Sequence, residues 1–274
     1  MPPKPSCRTA LDPRYYQIAV LATLLLYGVL WLDFPVSTVM LAVTIATALS
    51  SQWAFTHWVG LPGFDPRSPL ISSLSLCLLL RSNALWPMAL AALIAIASKF
   101  VLRSSQGHWF NPSGLAIVIM LTCTDTAWVS TGQWGQTAWF ALLLACAGGL
   151  VLWRSRRSDI SLAFLAVWAL LLFGRAWWLG DPWPIPWRQL QSGALLIFAF
   201  FMISDPPTTP HSRPGRLLFA ALVALATAIG RFYFYQPESL FYALILCSLL
   251  VPLINRYLPG ERFQWQPATN RSLT

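Results

Sequence analysis

Polar residues that could hold a ligand flank three hydrophobic runs, residues 70–80, 113–123 and 190–203, which are too short to cross a membrane comfortably. Short helices leave backbone N–H and C=O groups without partners, and within a membrane these groups need a protein partner or a ligand. We therefore expect one binding site at the cytoplasmic face. Its predicted members are Ser72, Ser73, Asn111, Ser192, Gly193, Asp205, Thr208, Thr209 and Arg216.

The parts of this predicted site differ in their chemistry. Its serines and glycine are small enough for a backbone and a ligand to approach closely. The Asn111–Pro112 pair is typical of a helix start, whose free N–H groups suit an anion such as a phosphate. Asp205 precedes two prolines, which end a helix, so it could be a ligand anchor, a turn former or a partner of Arg216. Ordinary connecting turns remain the alternative for both loops.

The hydrophobic runs lack groups that would catalyse a reaction or bind a metal. The acidic residues and the three histidines fall at run ends or in loops, which argues against a proton relay or a haem inside the bilayer. The five cysteines form no CxxC pair, so neither an iron–sulfur nor a zinc site is expected. No catalytic residue and no metal site is predicted, and whether the chain is an enzyme stays open.

The segments that must position these residues are strongly apolar. Hydrophobic residues make up 57% of the chain and charged residues only 10%, against about a quarter charged in soluble domains. Ten hydrophobic segments can be counted, and most approach the roughly 20 residues that cross a bilayer as a helix. The sequence therefore predicts an all-α polytopic membrane protein with about ten transmembrane segments.

The charge of +9 could suggest nucleic acid, but the basic residues lie between hydrophobic runs and form no continuous patch, so no nucleic-acid partner is expected. Lysine and arginine concentrate in cytoplasmic loops of membrane proteins. Most of the 18 basic residues fall on one side if the N-terminus is cytoplasmic. This bias predicts cytoplasmic termini and cytoplasmic loops ending at Arg67 and at residues 99–112, 154–159 and 204–216.

Two of the short runs, residues 70–80 and 190–203, are the third and eighth segments. Because five segments separate them, the halves would have opposite orientations, as in inverted-repeat transport folds. The alternative is ten unrelated helices. The predicted organisation is a cytoplasmic tail at 1–14, one membrane domain at 15–257 with halves at about 15–123 and 137–257, and a cytoplasmic tail at 258–274.

Three collinear motifs carry a resemblance to a known family. They are the stretch LQSGALLIFAFFMISDPPTTPHSRPGRLL at residues 190–218, QGHWFNPSGLAI at 106–117 and VPLINRY at 251–257. These resemble segments of the D subunit of the Rnf electron-transport complex and of the B subunit of the sodium-translocating NADH:quinone reductase. The resemblance implies a ten-helix, inverted-repeat fold, flavin binding, electron transfer coupled to cation movement, and partner subunits in a bacterial inner-membrane complex.

One family motif is missing. In the family, a threonine in a DG-x-S-x-AT stretch between the fifth and sixth spans carries covalently linked FMN. The corresponding connection here, TDTAWVSTGQWGQ at 124–136, contains Thr126 and Thr131 without that context. Covalent FMN is therefore not expected, and the chain resembles a short-loop branch also described as an enediyne biosynthesis membrane protein.

Three functions remain open from the sequence. The first is a membrane redox subunit that binds a noncovalent FMN or riboflavin, or a quinone, whose chemistry would belong to the cofactor. The second is a channel-like transporter or permease that has lost the covalent FMN site. The third is a membrane scaffold of a biosynthetic complex.

Overall fold

The computed structural model describes residues 12–104, 107–130, 149 and 158–261. Outside these ranges lie the predicted segment at 137–153 apart from residue 149, most of both tails and the basic residues at 154–157. Eleven α-helices are present in the described ranges: α1 Pro13–Trp31, α2 Thr38–Trp58, α3 Arg67–Leu79, α4 Leu85–Val101, α5 Pro112–Cys123, α6 Ser158–Leu179, α7 Pro184–Leu190, α8 Gly193–Ile197, α9 Arg213–Phe232, α10 Ser239–Ser248 and α11 Val251–Tyr257.

Short irregular elements connect these helices. A π-helix, Phe198–Met202, continues α8, and a 3-10 turn, Pro206–Thr208, follows it. Strands β1 Leu80–Ser82 and β4 Ala127–Val129 pair antiparallel, as do β2 Arg103–Ser104 and β3 Gly107–His108. The sequence patterns did not indicate these strands, because each is only two or three residues long.

Four helices in the described ranges, α1, α2, α6 and α9, are long and apolar enough to cross a membrane. In each, between 22% and 33% of the most apolar window is buried, so most of its apolar side chains face outward. Leu30, Trp53 and Leu170, for example, are exposed. Exposing this much apolar surface to water would cost free energy, so we infer that lipid surrounds these helices. The chain is therefore a predominantly α-helical, multi-pass membrane protein.

The sequence predicts one continuous span at residues 240–254, and the structure differs there. Residues 240–254 form parts of two helices, α10 and α11, which meet at an angle of 49° and together still qualify as one apolar span. Pro252 lies at the start of α11 and cannot donate a backbone hydrogen bond, so the helix breaks before it. Helix α7 also lies where the sequence indicated only a loop.

The short helices are confirmed, and they form the interior. Helices α3 and α5 have 13 and 12 residues, and α8 with its π-helix has ten. Every residue from Gly193 to Met202 is buried. Around it, the Phe198 ring lies 5.2 Å from the Phe164 ring of α6 and 6.1 Å from the Phe241 ring of α10, measured between centroids.

The same order of helix packing occurs in both halves of the described chain. In the first half, α4 packs against α2 and α5; in the second, α9 packs against α6 and α10. Helix α1 packs against α3, and α5 contacts α10 across the halves. The two halves therefore meet through α5 and α10. Each of them is the second helix after the short helix of its own half, α3 or α8.

Candidate functional site

Two arginines and two aspartates form a closed ring of ion pairs where α1 and α3 begin. Arg14 contacts Asp12 and Asp65, each at 2.7 Å, and Arg67 contacts the same two carboxylates at 2.7 and 2.8 Å. Burial alone would raise the pKa of Asp65. The hydrogen bonds from Arg67 and the charges of Arg14 and Arg67 outweigh it and lower this pKa to about 2. The ring thus joins the two helix starts with both carboxylates ionised.

A cavity of about 230 Å³ lies beside this ring. Five helical elements contribute to it: the starts of α1, α3 and α5, the end of α4 and the end of the π-helix. Its lining is rich in cationic and hydroxyl groups. The polar lining residues are Arg14, Gln17, Ser68, Ser72, Ser75, Lys99, His108, Asn111, Ser113 and Asp205.

Lys99 is the most buried cation of this cavity, with 6% of its surface exposed. Its Nζ donates a hydrogen bond to Ser68 Oγ at 3.0 Å. Burial lowers the pKa of Lys99 to about 7, and the charges of the Asp205 and Asp65 carboxylates oppose this shift. A buried ammonium group is costly unless anions or hydrogen bonds compensate it. Lys99 therefore makes the cavity suitable for a ligand that carries, or can acquire, negative charge.

Asn111 connects two of the short helices. Its Oδ1 accepts a hydrogen bond from Gly114 N at 2.9 Å, which is the N-cap contact expected from the Asn–Pro pair. Its Nδ2 donates to the carbonyl oxygen of Met202 in the π-helix at 3.3 Å. One side chain thus satisfies a helix start in the first half and a backbone carbonyl in the second.

His108 lines both the large cavity and a smaller one of about 30 Å³, as Pro207 does. Burial, followed by the charges of Lys99 and Arg103, lowers its pKa to about 4, although a hydrogen bond with the Lys99 backbone opposes the shift. The imidazole is therefore neutral near pH 7. Its buried Nδ1 has no hydrogen-bond partner among the described residues.

Three of the residues predicted from the sequence, Ser72, Asn111 and Asp205, meet at the large cavity. Ser73 is fully buried and donates to the Leu70 carbonyl. Thr209 lines the smaller cavity instead.

The other four predicted residues lie away from the large cavity. Ser192 and Gly193 begin α8, at the far end of the segment whose last residues line the cavity. Thr208 donates to the Asp205 carbonyl in the 3-10 turn. Arg216 binds the Asp159 carboxylate, with Nε–Oδ2 at 2.8 Å, and donates to the His211 carbonyl. Arg216 thus joins α9 to α6, and the suggested Asp205–Arg216 pair gives way to this contact.

Seven further polar residues line the cavity, and none of them was predicted as a site residue from the sequence: Arg14, Gln17, Ser68, Ser75, Lys99, His108 and Ser113. For Lys99 a signal existed, because it is a charged residue at the end of an apolar run and such residues are functional candidates. For Arg14 no local signal existed, since its position beside Lys99 depends on α1 packing against α3.

The fold and the site together define the class of this protein. It is a helical membrane protein with a cationic cavity at the ends of its short helices. The chain belongs to the NQR2, RnfD, RnfE family, which residues 122–264 match. This confirms the family resemblance seen in the sequence motifs.

Relatives include proteins named as the D subunit of an ion-translocating oxidoreductase complex. The protein from Mannheimia succiniciproducens is 36% identical over 121 residues, which cover 43% of this chain and 34% of the relative. The protein from Escherichia coli is 36% identical over 129 residues, which cover 46% of this chain and 34% of the relative. The matched stretch thus spans about a third of the length of these relatives.

Proposed function

We propose that this chain is an integral membrane subunit of an electron-transfer complex in the bacterial inner membrane, and that its large cavity holds a noncovalent flavin, FMN or riboflavin, or a quinone. Relatives named as the D subunit of an ion-translocating oxidoreductase complex support the complex, its other subunits as partners and coupling to cation movement. The observation that carries the proposal is the buried cation, Lys99, at a polar cavity in an apolar protein.

The residues at the cavity fit such a ligand. Lys99 and Arg14 are cations, Ser72 and Ser75 are hydroxyl donors, and His108 Nδ1 is a buried polar atom that needs a partner. The volume is below the roughly 300–1,000 Å³ of pockets for drug-sized ligands, so the cavity would take the ring of a cofactor. When bound, a flavin or a quinone would supply the redox chemistry.

The chain itself would position the ligand and adjust its charge. Lys99 would stabilise negative charge on the ligand, because a cation acts more strongly in an apolar surrounding than in water. Asn111 would hold the ends of α5 and the π-helix at a fixed distance through its two hydrogen bonds. The buried leucines Leu76 and Leu78 would exclude water from the layer behind the cavity.

For the architecture, we propose ten spans in two inverted repeats, with both termini cytoplasmic and the domain boundaries predicted from the sequence. The repeated packing order, α2–α4–α5 and α6–α9–α10, supports equivalent halves. The positions of the short helices support it as well, because α3 directly precedes α4 and α5, and α8 directly precedes α9 and α10. Because both short helices end inside the protein, a permease remains the second candidate function.

An absorption spectrum of the detergent-purified chain, followed by titration with riboflavin, FMN and a short-chain quinone, tests the cofactor. Flavin fluorescence should be quenched on binding. Lys99→Met should weaken FMN binding by about tenfold or more, corresponding to about 1.4 kcal/mol, because a buried charged contact is lost. Lys4→Met is the matched control, since Lys4 is the only other lysine in the sequence.

Two results would contradict the proposal. One is a protein that neither retains nor binds any of the three compounds. The other is equal FMN affinity in Lys99→Met and the wild type. Saturable uptake of a solute by proteoliposomes that bind no flavin or quinone would favour the permease.

A further inference from the structure

A second buried cation lies just beyond α3, at the opposite end of this helix from the ring of ion pairs. Arg81 in β1 is 1% exposed. One terminal nitrogen of its guanidinium, Nη1, donates to the carbonyl oxygens of Cys77 at 2.6 Å and Leu80 at 2.9 Å. The other, Nη2, donates to the Leu78 carbonyl at 3.3 Å. The Phe34 ring covers the same group, with its centroid 4.9 Å from Arg81 Cζ.

These carbonyls belong to the last turn of α3 and to the residue after it. The final carbonyls of a helix have no partner within the helix and carry the negative end of its dipole. Helix α3 has 13 residues and rises about 20 Å, less than the roughly 30 Å of the hydrocarbon core. With the start of α3 at the proposed cytoplasmic face, its last carbonyls lie inside the hydrocarbon layer, and they belong to fully buried residues that water does not reach.

The surroundings of Arg81 keep this cluster dry and ordered. Leu76, Leu78, Leu79 and Leu80 are fully buried. Strand β1 is held in place by β4, with Arg81 opposite Trp128 in the register. Converging backbone carbonyls at a broken membrane helix are the ligands by which proteins hold Na⁺ or K⁺, whereas divalent cations favour carboxylates.

We propose that the C-terminal carbonyls of α3 form a site for a monovalent cation, and that Arg81 fills this site with its own guanidinium. The chain thereby carries a tethered cation at the end of its first short helix. Free Na⁺ or K⁺ does not bind there in the wild-type protein. This inference does not depend on the ligand of the large cavity.

Arg81→Ala tests the proposal, because it removes the guanidinium and leaves space among the carbonyls. The melting temperature of the detergent-solubilised variant would be measured in chloride salts of Na⁺, K⁺, guanidinium and N-methyl-D-glucamine at equal, low ionic strength. A cation that binds only the folded state raises this temperature in a concentration-dependent way. We expect a saturable rise of several degrees with at least one of the three small cations over N-methyl-D-glucamine, and none in the wild type.

Arg175→Ala is the matched control, since Arg175 is exposed and contacts the Asp181 carboxylate at 3.4 Å. It should respond to the salts as the wild type does. Equal melting temperatures of Arg81→Ala in all four salts would overturn the proposal.

A second pair of variants decides the question if Arg81→Ala does not fold. Arg81→Lys keeps a cation, whereas Arg81→Met keeps the apolar stem without charge. The proposal requires Arg81→Lys to melt at the higher temperature. If Arg81→Met is equally stable or more stable, the guanidinium contributes by packing alone and the cation site is refuted.

Discussion

The two hydrogen bonds of Asn111 allow a stability change to be calculated from the structure. In Asn111→Ala, the N-cap of α5 is lost, which costs about 1 kcal/mol. The Met202 carbonyl also loses its Asn111 donor but keeps a longer hydrogen bond from Asp205 N at 3.4 Å, so the loss costs about 0.5–1.5 kcal/mol. The expected decrease in the free energy of unfolding is therefore about 1.5–2.5 kcal/mol.

Ser37→Ala provides the matched control for this calculation. Ser37 caps α2 through a single contact, in which its Oγ accepts from Met40 N at 3.1 Å, and the residue is exposed. Its loss should cost about 1 kcal/mol. Equilibrium unfolding of both variants in mixed micelles with increasing dodecyl sulfate gives the two values. If Asn111→Ala costs no more than Ser37→Ala, the bond to Met202 contributes nothing and the reasoning is refuted.

Three further predictions concern the ring, the flavin linkage and the topology. The stabilisation by Asp65 should be complete above its ordinary pKa of 3.8 and should vanish as the pH falls through about 2, because its folded-state pKa is depressed. The difference in melting temperature between the wild type and Asp65→Asn, measured over this pH range, checks the expectation. A difference that does not decrease at the acid end contradicts it. Denaturing electrophoresis should show no flavin fluorescence at the mass of the chain, since the DG-x-S-x-AT context is missing; a fluorescent band would establish a covalent linkage. In a variant lacking the five native cysteines, an impermeant thiol reagent applied to intact cells should label Gln236→Cys but neither Gly63→Cys nor Ser155→Cys, and the reverse pattern would invert the topology.

Local signals in the sequence were sufficient for the short helices and their starts. The lengths of the apolar runs predicted α3, α5 and α8, because helix length follows directly from residue count. Asn111 was predicted as an N-cap from its neighbour Pro112, and the cap is present. The family was predicted from collinear motifs, and it is confirmed.

The cavity depended on contacts that no local pattern contains. Arg14 reaches Asp65 across 51 positions of sequence, so the ring could not be derived from either segment alone. Arg216 lay close in sequence to Asp205, yet its strongest contact is Asp159, 57 positions away. Polar residues near a short helix were therefore identifiable, but which of them share one cavity was decided by helix packing.

The contact between α1 and α3 constrains how the protein is assembled during synthesis. Helix α1 precedes α2 and α3 along the chain, but its main partner in the described chain is α3, which follows only after α2. Helix α3 is short, contains four serines and begins with the charged Arg67, so it is a poor membrane span by itself. Until α3 is in place, α1 lacks this packing partner. Arg67 then completes the ring with Asp12. Once these four ion pairs have formed, the starts of α1 and α3 are joined on either side of α2 in the sequence.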